Sequence, residues 1–277
     1  MFARFSLAIL VSAFVVTSAI CAGYDSFSVG MAAFNRGDTD LAIKEFTEAL
    51  AAGDLNAGLV PVTHLDRGLA FLRLGKCADA ASDAASALAL KPDYLDALGL
   101  RASASACSGD YKAAIADYQA LLAKHAGPGD YRELALLYWM AGDFVGAQQP
   151  LQKANTLDPH QIYGVLWLEI MRARAGNPDM DAMAQDVSHI DIDEWPGPVF
   201  NLFLGKFSPE DTISAAAKGD TDSLAGRQCE ANFYVAEWWF SKGQPAKAWP
   251  LLDDAKAHCP KGFFEYRLAV AELKRPH

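Results

Sequence analysis

Cysteine is the residue type in this sequence with the most obvious chemistry. Cys21 ends an apolar N-terminal stretch, and four more follow it: Cys77, Cys107, Cys229 and Cys259. An even number of cysteines in an oxidising compartment favours disulfides. Zinc is the alternative because His258 adjoins Cys259, but no C-x-x-C or H-x-x-x-H spacing supplies four ligands. We therefore expect no metal site.

Motifs for catalysis or nucleotide binding are missing from the chain. It has no G-x-S-x-G, H-E-x-x-H, G-x-x-x-x-G-K-[ST] or G-x-G-x-x-G. Asp191 and Asp193 resemble a carboxylate pair, but solvated loop charges explain them as well. We predict that the protein is not an enzyme and has no cofactor, with a hydrolase that uses the segment 177–226 as the alternative.

The first residues have the pattern of an export signal. Arg4 precedes an apolar stretch from Phe5 to about Ala19, and small residues follow. The stretch is shorter than the roughly 20 residues that span a bilayer. We expect cleavage after Ala22 and a periplasmic protein. The alternative is lipidation of Cys21, which would attach the protein to a membrane.

The charge of the chain limits the class of partner. The formal net charge is −10, and the basic residues do not cluster into a stripe. A protein of this charge repels the phosphate backbone, so nucleic acid is not an expected partner. Partners should be neutral, cationic or apolar.

A glycine recurs with a period near 34 residues. This period indicates that the chain is built from repeated structural elements, which position the cysteines and the other side chains considered above. The glycines are Gly37, Gly75, Gly109, Gly142 and Gly176, at intervals of 38, 34, 33 and 34 residues, and Gly243 follows 67 residues later. Five residues after a glycine stand Ala42, Ala80, Ala114, Ala147 and Ala248. Glycine can end a first helix, and alanine lets a second helix pack closely against it. Pro92, Pro159 and Pro260 then end the second helix.

The spacing resembles the tetratricopeptide repeat family over residues 23–160 and 227–262. The resemblance implies an all-α, right-handed solenoid of stacked antiparallel helix pairs. It divides the chain into a signal peptide (1–22), an array of about four repeats (23–160), an irregular helical segment (161–226), and a repeat with a C-terminal capping helix (227–277).

The C-terminal part also resembles exported repeat proteins of the NlpI type, which are helical adaptors for peptidoglycan-cutting enzymes and proteases. The residues that carry the resemblance are Trp195, Gly205, Glu230, Ala231, Phe233, Tyr234, Glu265, Tyr266 and Ala271. Ile20 stands where lipoprotein signals have a small residue, so the sequence departs from that group at its anchor.

The repeat register predicts two disulfides. Cys229 opens the first helix of the last repeat and Cys259 closes its second helix, so the two ends should meet. Cys77 and Cys107 lie at the same end of adjacent repeats and form the second predicted pair. Free buried thiols are the alternative for Cys229 and Cys259.

The register also predicts a partner-binding wall, because the first helices of stacked repeats line a concave groove. Its expected members are Arg132, Leu136, Trp139 and Met140 in the fourth repeat, and Glu230, Phe233, Glu237 and Phe240 in the last. The alternative is that a terminal helix folds back and fills the groove. The predicted function is a scaffold for other proteins or peptides in the cell envelope, with cell-wall hydrolases as one set of partners. The alternative within this class is an assembly factor for polysaccharide export or secretion.

Overall fold

The computed structural model describes residues 22–188, 192, 194–221 and 223–275. Over these residues the protein is all-α, as the sequence predicts, and contains no strand. No helix in these ranges is long and apolar enough to cross a membrane. The signal peptide prediction falls almost wholly outside the described residues. The chain forms two compact units, one ending at Leu121 and one beginning at Leu122.

In its described residues, the first unit contains six helices that follow one another as helix pairs. They are α1 (Ala22–Arg36), α2 (Thr39–Ala52), α3 (Leu59–Arg73), α4 (Cys77–Leu90), α5 (Leu95–Cys107) and α6 (Tyr111–Leu122). Gly37 and Gly75 both have a positive φ at the turn within a pair, where a side chain would strain the backbone. Ala42 and Ala80 are fully buried five residues later. The predicted register is therefore correct in this unit.

An ion pair between the two helices of a repeat occurs twice in the first unit. The Arg67 guanidinium donates to Asp83 Oδ1 at 2.7 Å, and that of Arg101 donates to Asp117 Oδ1 at 2.6 Å. The arginines are 34 residues apart, as are the aspartates. These contacts repeat with the period of the fold and so fix how the two helices of a pair pack.

The second unit contains nine helices in its described residues. They are α7 (Pro128–Ala141), α8 (Phe144–Leu157), α9 (Ile162–Arg174), α10 (Met180–Val187), α11 (Gly197–Phe203), α12 (Pro209–Ala216), α13 (Leu224–Ser241), α14 (Pro245–His258) and α15 (Phe264–Lys274). Three of the helices between residues 161 and 226 have only seven or eight residues. Ser208 caps α12, because its hydroxyl accepts a hydrogen bond from the backbone N–H of Asp211.

Both predicted cysteine pairs lie at disulfide distance. The Cα atoms of Cys77 and Cys107 are 5.7 Å apart, and those of Cys229 and Cys259 are 4.9 Å apart. Both separations fall within the roughly 4.4–6.8 Å that a disulfide permits. One bridge joins α4 to α5 in the first unit, and the other joins α13 to the end of α14 in the second.

The C-terminal helix α15 packs on several helices of the second unit. It lies against α14 and α13, which precede it in the chain, and also against α7. It therefore caps the last helix pair, and in addition it turns back onto the first helix of the unit.

Candidate partner-binding site

All eight side chains predicted to form the partner-binding wall lie in the second unit, on α7 and α13. The structure brings the two helices together at Trp139 and Phe233, whose ring centroids are 5.8 Å apart. Side chains of α7 and α13 therefore touch at these two residues.

The same face is not an open groove, because α15 covers much of it. Five predicted members are buried: Leu136, Trp139, Met140, Phe233 and Glu237. The expectation that these five side chains offer a surface to a partner is therefore wrong, and the alternative of a terminal helix that folds back is correct here. Arg132, Glu230 and Phe240 keep partial exposure, and their role in binding stays a prediction.

Trp139 is held by polar contacts from the end of the chain. Its indole N–H donates to Glu272 Oε1 at 3.1 Å, and the Arg275 guanidinium donates to the Trp139 carbonyl at 2.8 Å. Arg267 donates to Glu133 Oε1 at 2.6 Å and so fixes the other end of α15 on α7. These hydrogen bonds satisfy polar groups that burial would otherwise leave unpaired.

A buried ionic network lies beside Trp139. The Arg174 guanidinium donates to both Glu237 and Glu272, and its charge stands 4.4 Å from the ring centroids of Phe144 and Phe240. Burial raises the pKa of Glu237, while Arg174 acts against that rise. The two glutamates raise the pKa of Arg174, although its burial alone would lower it. The network explains why the predicted wall residue Glu237 is turned inward.

A small cavity of about 290 Å³ opens next to the covered face, and we call it the Glu230 cavity. Aromatic and acidic side chains dominate its lining. The lining residues are Arg132, Gln161, Tyr163, Trp167, Glu230, Gly262, Phe263, Phe264 and Glu265. It therefore contains two of the three predicted wall residues that remain accessible.

Glu230 is held at the cavity by two hydrogen bonds. Tyr163 Oη and Trp195 Nε1 each donate to Glu230 Oε2 at 2.7 Å. Burial and the nearby Glu265 carboxylate raise the pKa of Glu230 to about 7, although the two donors act to lower it. Glu230 consequently changes charge near neutral pH.

Glu265 is the second carboxylate of the cavity. It accepts a hydrogen bond from Tyr234 Oη at 2.6 Å, and Tyr234 in turn accepts one from Trp167 Nε1 at 2.9 Å. Burial raises the pKa of Glu265. The rings of Tyr163 and Tyr234 stack at 6.3 Å, so the two carboxylate systems share one aromatic wall.

A larger cleft of about 1070 Å³ adjoins the Glu230 cavity and shares Glu230 and Phe263 with it. Other residues of its lining include Glu194, Trp195, Pro198, Phe207, Lys218, Asp220 and Arg227. The Arg227 guanidinium is occupied by the carbonyls of Ala216 and Asp220. Asp191 and Asp193 lie outside the described residues.

Sequence reasoning identified Glu230 and Arg132 as wall residues, but it assigned no binding role to the aromatic residues that surround them. Tyr163 and Trp167 lie in the segment predicted to be irregular, and Phe264 begins the terminal helix. One signal was available, namely that Glu230 and Glu265 interrupt apolar helix faces. Within the described ranges, no three His, Cys, Asp or Glu residues are grouped so that they could hold a metal ion.

Comparison with known proteins identifies the repeats. Residues 65–131 and 108–162 match the tetratricopeptide repeat family. Cys77 and Cys107 lie within the first matched range, and Trp139 lies within the second.

Several solved structures share the fold at low sequence identity. A tetratricopeptide repeat protein from Parabacteroides merdae is 16% identical to this chain. The match covers 91% of this chain and 99% of that protein, with a TM-score of 0.62. The C-terminal part of a repeat protein from Cytophaga hutchinsonii is 19% identical, with 97% and 94% coverage and a TM-score of 0.51. MamA from Desulfovibrio magneticus is 21% identical, with 61% and 92% coverage and a TM-score of 0.54.

Proposed function

This chain is a tetratricopeptide repeat protein, and from that premise we propose that it is a scaffold that binds other proteins or peptides. Stacked helix pairs present extended surfaces, and proteins of this architecture commonly use such surfaces to bind partners. The observation that carries the proposal is the Glu230 cavity, where apolar rings and oriented polar groups meet at an accessible surface.

The rim of the Glu230 cavity has the composition of an interface anchor. Phe264 is 41% exposed although it is a large apolar residue, and its ring meets that of Trp167 at 5.5 Å. Aromatic side chains near a partly enclosed pocket contribute a large share of the energy at protein interfaces. A partner side chain in this cavity would cover Phe264 and remove apolar surface from water.

We place the scaffold in the bacterial periplasm. The export pattern of residues 1–22 supports this location, as do the two cysteine pairs at disulfide distance. Cell-wall hydrolases are the proposed partners, on the basis of the resemblance of the C-terminal part to NlpI-type adaptors.

The test is capture of partners from a periplasmic extract by the tagged full-length protein. A partner of the cavity is retained by the wild type and lost with Phe264→Ala. Val145→Ala is the matched control, since Val145 is an apolar residue of the same unit that is 70% exposed and outside the cavity. Retention of every partner by Phe264→Ala would move the binding surface elsewhere.

The hydrolase alternative has one observation in its favour. The larger cleft next to residues 194–227 holds Glu230, and a carboxylate with a pKa of about 7 is suited to proton transfer. Hydrolysis by paired carboxylates needs two groups whose pKa values are pushed apart, whereas burial raises the pKa of both Glu230 and its neighbour Glu265. Glu194 in the same lining is exposed, and Asp220 has most of its side chain in solvent. The geometry therefore supports binding better than catalysis.

A further inference from the structure

The Glu230 cavity combines two carboxylates with aromatic walls, and its charges are not balanced. Glu230 and Glu265 receive hydrogen bonds from Tyr163, Trp195 and Tyr234, all of which are neutral donors. Among the residues that the structure describes, the ion pairs do not include either glutamate. The two carboxylates of the cavity therefore have no cationic partner among the ion pairs of the described residues.

Two basic residues close to the cavity are occupied by other acids. Arg132 is part of the lining, but its guanidinium donates to Asp158 Oδ2 at 3.0 Å. Arg267, on the same helix as Glu265, pairs with Glu133 at 2.6 Å. Both arginines are paired with these acids, and neither forms an ion pair with Glu230 or Glu265.

A cation from outside would be favoured in this environment for two physical reasons. A carboxylate that is largely removed from water without a counterion raises the free energy of the folded protein, and a bound cation offsets that cost. The aromatic rings of Tyr163 and Trp167 line the same space, and aromatic faces attract ammonium and guanidinium groups. The two effects act on the same ligand group.

We propose that the Glu230 cavity binds the charged end of a lysine or arginine side chain presented by a partner protein. The inference rests on the protein-binding function proposed above and specifies the chemistry of the partner. A volume of about 290 Å³ suits one side chain, and the adjoining cleft of about 1070 Å³ gives the rest of a peptide a path over Phe263. The net charge of −10 favours the approach of a basic segment.

The first experiment measures binding of capped Gly-Gly-Arg-Gly-Gly and Gly-Gly-Lys-Gly-Gly peptides to the full chain at neutral pH. The readout is the NMR signal of the indole N–H groups of Trp167 and Trp195, which border the two carboxylates. We expect saturable shifts with a Kd of about 1 mM, the order for one anchored side chain. The peptide with Gln at the centre should produce no saturable shift. Equal binding of the Gln peptide, or no shift with either basic peptide, would overturn the proposal.

Variants assign the binding to the carboxylate. Glu230→Gln keeps an oxygen that accepts from Tyr163 and Trp195, so the cavity keeps its shape, and affinity for the basic peptides should fall about tenfold. Asp253→Asn removes one exposed charge from the same unit outside the cavity and should leave affinity unchanged. An equal loss in both variants would mean that net charge, rather than the cavity, attracts the peptide.

The result is separable from the wider proposal. If the peptides fail to bind but Phe264→Ala still loses a partner from the extract, the protein is a scaffold whose cavity takes another chemistry. If the peptides bind and no partner depends on Phe264, the cation site exists while the proposed function fails.

Discussion

The indole N–H of Trp139 donates to the carboxylate of Glu272 although the two residues are 133 positions apart in the chain. This hydrogen bond joins the first helix of the second unit, α7, to its last helix, α15. A side chain that could have been a partner contact is thereby part of the core, and the binding surface that we propose is the neighbouring Glu230 cavity.

Trp139→Ala should destabilise the protein rather than only weaken binding. Trp139 is fully buried against Phe233 and Glu272, and removal of a buried tryptophan side chain costs about 3–5 kcal/mol. Urea denaturation followed by circular dichroism gives the free energy of unfolding. Val145→Ala is the control and should change it by less than about 0.5 kcal/mol. A Trp139→Ala protein as stable as the wild type would contradict the packing of α15 on α7.

Glu230→Gln should change how stability depends on pH. The pKa of Glu230 is about 7 in the folded protein, against an ordinary value of 4.5. The folded state therefore binds more protons than the unfolded state between these values. The contribution of the Glu230 carboxyl group to stability is complete below pH 4.5 and is lost as pH rises to about 7.

The measurement compares the free energy of unfolding of wild type and Glu230→Gln at pH 5 and pH 8. Glutamine does not titrate. Between pH 5 and pH 8 the free energy of unfolding of the variant should therefore fall by about 2–3 kcal/mol less than that of the wild type. Asp253→Asn should follow the wild type. Parallel curves for wild type and Glu230→Gln would show that the Glu230 carboxylate is not desolvated in solution.

Removal of the Cys229–Cys259 bridge should lower stability substantially. The two cysteines are separated by 30 positions, and a loop of this length corresponds to about 3–4 kcal/mol in the chain-entropy model. The variant carries Cys229→Ser and Cys259→Ser, and calorimetry reports its Tm. A Cys77→Ser and Cys107→Ser variant should show a loss of similar size because its separation is also 30. Alkylation of all four thiols in the unreduced native protein would contradict both bridges.

Two single glycine-to-alanine substitutions in the first unit should change the stability of the protein in opposite directions. A Cβ at Gly68 in α3 would stand 2.5 Å from Leu100 Cδ2, so Gly68→Ala should cost about 1–3 kcal/mol. A Cβ at Gly99 in α5 meets only Leu121 Cδ1 at 3.9 Å. Gly99→Ala should therefore stabilise by about 0.5–1 kcal/mol, because glycine in a helix interior is less favourable than alanine. Thermal unfolding of both variants decides whether the helices approach each other as closely as described.

Local signals in the sequence were sufficient for the repeated parts of the fold. A glycine with a positive φ ends the first helix of a pair at Gly37, Gly75, Gly109, Gly142, Gly176 and Gly243. Each of these helix ends depends on the conformational freedom of a single glycine. The buried alanines at fixed spacing follow from the close packing of two adjacent helices. The cysteine pairs could be predicted for the same reason, since each joins helices that are neighbours in the chain.

The accessible surface could not be predicted from these signals. The repeat register placed Trp139 and Glu230 alike on the inner face of first helices, and nothing local distinguishes them. Only the tertiary structure shows that α15 covers Trp139 through Glu272 and leaves Glu230 beside a cavity. The sequence by itself determined the helix pairs, because they depend on contacts between near neighbours. The tertiary structure decided which face stays open, because a helix more than a hundred residues away covers apolar surface that the local signals left exposed.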